Sequence, residues 1–314
     1  MATSYGGSEA IARAPKEAAA SIGEILRLLS AGATGAILLA LGEGPMQTKV
    51  LTHRVRGYTP RTVYRYLPKL AQLGVLERDD EPGGRPRVIH TLREGEGDEL
   101  CDLINRFARA SMTQLPDGQV KPEAWASLGL LADLWEAGVV EELSRGPKSP
   151  TELARGLDAL SYHQLSRRIS QFEESGFFAA TTKGRRRRDR YSLTPKARRT
   201  MGLIAGIGRW RQRHLPTAED AGLTPAEMAT VLRAVFPLTG VGGDSREVEV
   251  ETRADGSVRV RCREVSRNCA AGEVEDWMAV LLDGDLRVEA GGDPRVVERC
   301  LAELHEALWT PSPF

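Results

Sequence analysis

The run Gly146-Pro147-Lys148-Ser149-Pro150-Thr151-Glu152-Leu153, followed at residues 162–176 by YHQLSRRISQFEESG, decides how the chain is read. Ser149-Pro150-Thr151-Glu152 is a capping box with proline at the first helical position, so a short helix opens at residue 150. In the second stretch Leu165, Ile169 and Phe172 recur at intervals of four and three, which predicts a helix over 162–175 with one apolar stripe facing inward. Tyr162, His163, Gln164, Arg167, Arg168 and Gln171 are then left mostly outward. Gly176 suits the left-handed residue that ends a helix.

Shifting the sequence by 102 residues lays an earlier segment on this one. Leu28-Leu29 falls on Leu130-Leu131, Gly44-Pro45 on Gly146-Pro147, Leu51 on Leu153, Arg65 on Arg167 and Gly74 on Gly176. Apolar positions agree as well: Ile37 with Val139, Val55 with Leu157, Val63 with Leu165, Leu67 with Ile169, Leu70 with Phe172. The register holds without a gap over residues 28–78, after which a one-residue deletion brings Thr91-Leu92 onto Ser192-Leu193. Eight of these 51 positions are identical, so the signal lies in the ungapped apolar pattern. It reads as a duplicated module.

Each copy has one plan. An apolar helix (23–42; 125–144) ends at a Gly-Pro turn, a short helix follows, and a second helix (60–73; 162–175) stops at a glycine. Two strands joined by a basic loop and a closing helix (98–113; 195–213) complete it. Thr59-Pro60 and Thr194-Pro195 repeat the cap-then-proline signal. This order is the winged helix-turn-helix plan. In residues 60–74, PRTVYRYLPKLAQLG, the stripe Val63, Leu67, Leu70 leaves Arg61, Thr62, Arg65 and Lys69 outward. Pro68 should kink that helix or mark a misplaced boundary.

The chain has 314 residues, 41% hydrophobic and 27% charged, with a net charge of zero. That composition excludes collagen, global disorder and a long coiled coil. Zero net charge hides an asymmetry: residues 1–216 carry 33 Lys and Arg against 24 Asp and Glu, and residues 217–314 carry 10 against 19. The basic part is the one expected to meet a polyanion. From Lys183 to Arg213 there are twelve cations and one acid. The second wing (Lys183, Arg185, Arg186, Arg187, Arg188, Arg190) therefore points to phosphate contact, because the planar guanidinium makes paired hydrogen bonds. The first wing offers Arg85 and Arg87, with Asp79, Asp80 and Glu81 beside them in opposition. Arg61, Arg65, His163, Gln164, Arg167 and Arg168 are the candidates for reading base edges, since arginine pairs with guanine and glutamine with adenine.

The second copy resembles the HxlR-type winged-helix regulators, relatives of MarR-type proteins. The matching residues are Leu143-Ser144-Arg145 through Leu153, then Leu165, Arg167-Arg168-Ile169, Gly176-Phe177-Phe178 and Tyr191-Ser192-Leu193-Thr194. The resemblance implies a bacterial transcription factor whose recognition helix enters the major groove and whose wing tracks the backbone. It covers about 190 residues as two copies. The chain departs from the family in fusing two modules, adding a third domain, and lacking the cysteine that oxidant-sensing members carry near the first helix. Two modules in cis would imitate the usual dimer and address half-sites about 34 Å apart.

Residues 217–314 read as a small α+β domain. A helix opens at Thr224-Pro225-Ala226-Glu227. A hairpin follows whose register is set by a three-residue loop, Ala254-Asp255-Gly256. Glu251 then opposes Arg259, Glu249 opposes Arg261 and Glu247 opposes Arg263, while Val250 meets Val260 and Val248 meets Cys262 on the core face. A helix (273–283), a strand (286–290) and a last helix (294–308) end the domain. This order weakly resembles sterol-carrier-like domains, through Trp277, Leu281-Leu282-Asp283-Gly284 and Gly292-Asp293. On that resemblance Trp277, Met278 and Leu281 are candidate ligand-contacting residues, with core packing as the plain alternative.

The expected fold is thus α+β: a tail (1–21), two tandem winged helix-turn-helix domains (22–116 and 117–216) and an acidic sensing or dimerisation domain (217–314). The expected partner is double-stranded DNA, with a small-molecule effector and a second copy of the chain as further candidates and no membrane partner. No catalysis, metal or cofactor is expected. Cys262, Cys269 and His305 match no common zinc spacing, and the glycines at 240, 242 and 243 follow a helix rather than a strand, unlike a phosphate loop. Four cysteines without a C-x-x-C, no apolar run of about 18 residues and no leader-like start point to a reduced, cytoplasmic protein. Two rival readings stand beside this one: a protein-interaction module, and an enzyme whose winged-helix part only dimerises.

Overall fold

The computed structural model describes residues 20–81, 87–111, 120, 122–157, 162–181, 190–215, 222–238, 248–262, 269–291 and 294–310. The first third runs α1 (Ile22–Ser30), α2 (Ala33–Leu41), β1 (Met46–Gln47), α3 (Thr48–Arg54), α4 (Pro60–Leu73), β2 (Leu76–Glu81), β3 (Arg87–Leu92) and α5 (Glu96–Ser111). The second runs α6 (Pro122–Glu136), α7 (Val139–Ser144), α8 (Pro150–Gly156), α9 (Tyr162–Glu174), β4 (Phe178–Ala180), β5 (Tyr191–Leu193) and α10 (Pro195–His214). The last holds α11 (Pro225–Val235), β6 (Val248–Thr252), β7 (Val258–Cys262), β8 (Cys269–Gly272), α12 (Val274–Asp283), β9 (Glu289–Gly291) and α13 (Pro294–Trp309).

Local chemistry explains these elements. Ser21, Ser149 and Thr224 each sit in a capping box with the glutamate three residues on. Gly74 (φ 86°) and Gly176 (φ 73°) turn the chain out of α4 and α9 in the left-handed region. Gly44 and Gly146 share a φ of 135°, and each precedes an equivalent pairing: Met46 with His90 in one half, Lys148 with Tyr191 in the other.

Three expectations need correction. The long first helix of each half is broken. Gly32 (φ 69°) separates α1 from α2, which meet at 89°, and Gly138 (φ 70°) separates α6 from α7. The helix with Pro68 runs unbroken from Pro60 to Leu73. Pro68 lies on its exposed side, so the carbonyl of Tyr64 that loses its N–H partner there is one that water can reach. A strand unread in the sequence, β8, lies between β7 and β9 and completes a four-stranded antiparallel sheet of order β6-β7-β8-β9. The β6–β7 register is the one expected, from Val248 opposite Cys262 to Thr252 opposite Val258, with Gly256 left-handed at φ 84°. The Glu247–Arg263 pair lies outside the described residues.

The two halves meet through elements that hold the same place in the order. α1 packs on α6 and α5 on α10. Arg27 bridges Asp133 at 3.2 Å and Glu136, while Gly35 lies so close to the Trp125 ring that a Cβ there would stand 2.4 Å from it. One buried core runs through all three parts, from Ile22 to Leu308. Among the described residues no single helix is long and apolar enough to cross a membrane.

The last third is fastened by arginines. Arg198 donates to the carbonyls of Leu193 (3.1 Å) and Ala234 (2.7 Å), Arg199 to that of Ala307 (3.2 Å), and Arg106 to that of Leu282. Arg209 pairs with Asp283 at 2.5 and 3.1 Å. The contacts to Ala234, Ala307, Leu282 and Asp283 fall on the last turns of α11, α13 and α12, where carbonyls have no intrahelical donor and the helix dipole is negative. Arg106 also lies over the Trp309 ring, 4.5 Å from its centroid.

Candidate nucleic-acid interface

In α9 the side chains of Leu165, Ile169 and Phe172 are buried against the body of the fold. That fixes the opposite face, where Tyr162, His163, Gln164, Arg167 and Gln171 are exposed. Tyr162 is 56% exposed, far more than an unpartnered aromatic ring usually is. Arg168 is half-buried and turned toward Asp133 of α6, 3.9 Å away, so its charge is partly offset within the protein.

In α4 the same arithmetic holds. Val63, Leu67 and Leu70 are buried, and Arg61, Arg65 and Lys69 are exposed. Thr62 is half-buried, and its hydroxyl lies 2.9 Å from that of Thr59, the residue that caps the helix by accepting from the Thr62 N–H. Arg65 and Lys69 lie 5.7 and 5.2 Å from the Tyr66 ring centroid, which holds both cations beside one ring. Tyr64, 56% exposed, was not among the sequence candidates. Its signal was present: it stands three residues after Arg61, on the same helical face.

The wing residues divide. Arg85, Lys183, Arg185, Arg186, Arg187 and Arg188 lie outside the described residues, as does the side chain of Arg87, whose backbone pairs with Glu81 in the β2–β3 ladder. Arg190 is described, and it bonds Glu152 of α8 at 2.5 Å. Glu152 also accepts from the Ser149 backbone N–H at 2.7 Å. These bonds, that from Ser149 first and that from Arg190 after it, hold the Glu152 carboxyl down to about 2. Arg190 is therefore a clasp between the base of the second wing and the start of α8. Thr181 closes the base, its N–H 2.8 Å from the Arg190 carbonyl.

The cationic run Lys183–Arg213 is not one surface. Its six members on α10 each bond a protein group. Lys196 donates to the Ser175 carbonyl at 2.8 Å, Arg211 to that of Ala20 at 2.7 Å, and Arg213 pairs with Glu99 at 2.8 Å. Arg198, Arg199 and Arg209 make the contacts with the last third described above. Burial pushes the pKa of Arg198 and Arg211 down from the ordinary arginine value, as it does for Lys196.

The residues considered for a ligand in the last third are core. Trp277, Met278 and Leu281 are each at most 1% exposed, and the Trp277 indole donates to the Val258 carbonyl at 3.0 Å. His305 faces the Leu281 carbonyl at 3.1 Å, and the side chains of Cys262 and Cys269 lie outside the described residues.

Compared with known families, residues 130–219 match the HxlR-like helix-turn-helix. The match covers α7 to α10, so the exposed face of α9 lies within the stretch similar to the HxlR-like helix-turn-helix, a similarity that suggests DNA-binding transcription regulation. Comparison with curated proteins finds no match.

Proposed function

We propose that the chain is a sequence-specific DNA-binding transcription regulator that reads a duplex with two winged helices in tandem. The observation that carries this is the α9 face: Tyr162, His163, Gln164 and Arg167 exposed together within the HxlR-like region. A major groove admits such a helix, and its bases offer acceptors to arginine and paired donor–acceptor edges to glutamine. The second reading head is α4, with Arg61, Arg65 and Lys69, and Tyr64 added for apolar contact with sugar or a thymine methyl. Thr62 and Arg168 position these faces. The basic loops, with Arg85 and Arg87 in the first and Lys183 and Arg185–Arg188 in the second, are assigned to phosphate.

Support for two like modules, residues 22–116 and 117–216, comes from the shared φ of Gly44 and Gly146, the equivalent Met46–His90 and Lys148–Tyr191 pairings, and the packing of α1 on α6 and α5 on α10. On this reading, like-on-like packing within one chain would set two heads as a dimer does. The acidic part, 217–314, serves as the brace that the α10 arginines hold.

Selection of bound duplexes from a random pool tests this. Arg167→Ala and Gln164→Ala should each relax preference at one base position, by about 5- to 150-fold. Replacing Arg185–Arg188 by alanine should weaken all sequences alike. Between 50 and 200 mM salt the affinity should fall by about a thousandfold or more for 6–10 phosphates neutralised. Failure to enrich any duplex, or binding indifferent to salt, would overturn the proposal.

A further inference from the structure

We propose that Arg168 is a phosphate-binding residue of the second reading head, and that Asp133 of α6 holds it in reserve until a duplex displaces the carboxylate. The inference rests on the DNA reading of α9 and adds to it a competitor built into the protein.

Four side chains form one ionic chain from α1 across α6 to α9. Arg27 of α1 donates to Glu136 and, at 3.2 Å, to Oδ1 of Asp133. Oδ2 of Asp133 faces the Arg168 guanidinium of α9 at 3.9 Å. A strong ionic hydrogen bond spans about 2.7–2.9 Å, so the Arg168 contact is loose. The Arg168 and Asp133 side chains are 34% and 35% exposed, which lets water and salt weaken their attraction further.

A phosphate can therefore outbid the carboxylate. It offers the guanidinium fork two oxygens at full contact, and a duplex carries many of them. Arg168 stands beside the exposed Arg167, at the flank of the face that holds Tyr162, His163 and Gln164. Its departure strands no charge, because Asp133 keeps Arg27. The first head has no such restraint: 102 residues earlier Asp133 falls on Ala31 and Arg168 on Tyr66, whose ring holds Arg65 and Lys69 without neutralising them.

Binding of the full chain to a duplex enriched from the random pool, and to an unrelated duplex of equal length, tests this in wild type, Asp133→Asn, Arg168→Gln and the double variant. Asp133→Asn should bind about 1.5- to 5-fold more tightly at 50 mM salt, the range for an exposed pair, and the gain should shrink at 200 mM. Arg168→Gln should weaken both duplexes alike and reduce the salt slope by about 0.9. In the double variant the gain from Asp133→Asn should vanish. A gain that survives without Arg168 would be the plain effect of one negative charge fewer and would sink the proposal. So would weaker binding by Asp133→Asn, or an Arg168→Gln variant that loses preference at one base pair instead of affinity everywhere. The wild type gives a second readout that needs no folded Asp133 variant. With 15N-labelled arginine, the Arg168 guanidinium signal, assigned with Arg168→Gln, should move on adding duplex, while that of Arg27, assigned with Arg27→Lys, holds still; an unmoved Arg168 signal refutes the exchange. A wild type that binds no duplex brings down the reading of α9 and this inference with it, whereas a wild type that binds, with variants that act independently, brings down this inference alone.

Discussion

His90 shows how one side chain can tie a local structure to pH. It lies on β3 between two partners, opposite Met46 of β1 on one side and Arg78 of β2 on the other. Its ring is 7% exposed, with Nε2 3.0 Å from the Thr48 hydroxyl. Burial, and then the Arg78 guanidinium, lower its pKa from the ordinary histidine value. The unfolded chain therefore takes up a proton at a higher pH than the fold does. Stability should be full above about pH 6.5 and should fall as the pH drops below it. Urea unfolding at pH 7.5 and 5.5 checks this. His90→Gln should lose less over that interval than the wild type, and an identical loss in both would assign the slope to other groups. At this scale the sequence was readable wherever spacing alone decided. Leu165, Ile169 and Phe172 pointed inward, so Tyr162, His163 and Arg167 had to point out. It was unreadable where the partner was distant. Nothing near Arg168 announces Asp133, and nothing near Arg190 announces Glu152.

The helix α10 carries the argument at the scale of elements. Arg198 answers one carbonyl before its own helix and another at the end of α11. Arg198→Met keeps the aliphatic stem and removes the donor, leaving two half-buried carbonyls unpaired. The denaturation midpoint should fall by the equivalent of about 1.5–3 kcal/mol, the range for hydrogen bonds to charged groups. An unchanged midpoint would show that water replaces the guanidinium without cost. Element boundaries were legible where caps exist, as at Thr59, Ser149, Thr194 and Thr224. The strand β8 was hidden because Cys269-Ala-Ala-Gly272 has neither alternation nor β-branched residues. The breaks at Gly32 and Gly138 were hidden because apolar residues continue across them, and a glycine within an apolar run reads as a tolerated helix residue.

For the whole molecule, the division of charge was plain in the sequence and its use was not. Half of the twelve cations between Lys183 and Arg213 sit on α10, and each of these bonds a protein group, Lys196 and Arg213 from exposed positions. Pattern reading cannot tell an arginine that meets phosphate from one that meets a helix end, since both need the same fork. One core and these cross-links should make the chain unfold as a unit despite its three-part plan. Calorimetry should give a single transition whose calorimetric and van't Hoff enthalpies agree. Two resolved peaks would mean that the last third melts independently of α10.

The same helix contains Gly202, Gly206 and Gly208, where an added Cβ would stand 3.1 Å from Trp309, 2.3 Å from Leu103 and 2.8 Å from Leu223. Each glycine weakens a helix by about 1 kcal/mol relative to alanine. A peptide of this segment in water thus has little reason to coil; the rod at the centre of the molecule owes its shape to the neighbours that its missing side chains admit. It is a keystone, set by the stones that lean on it.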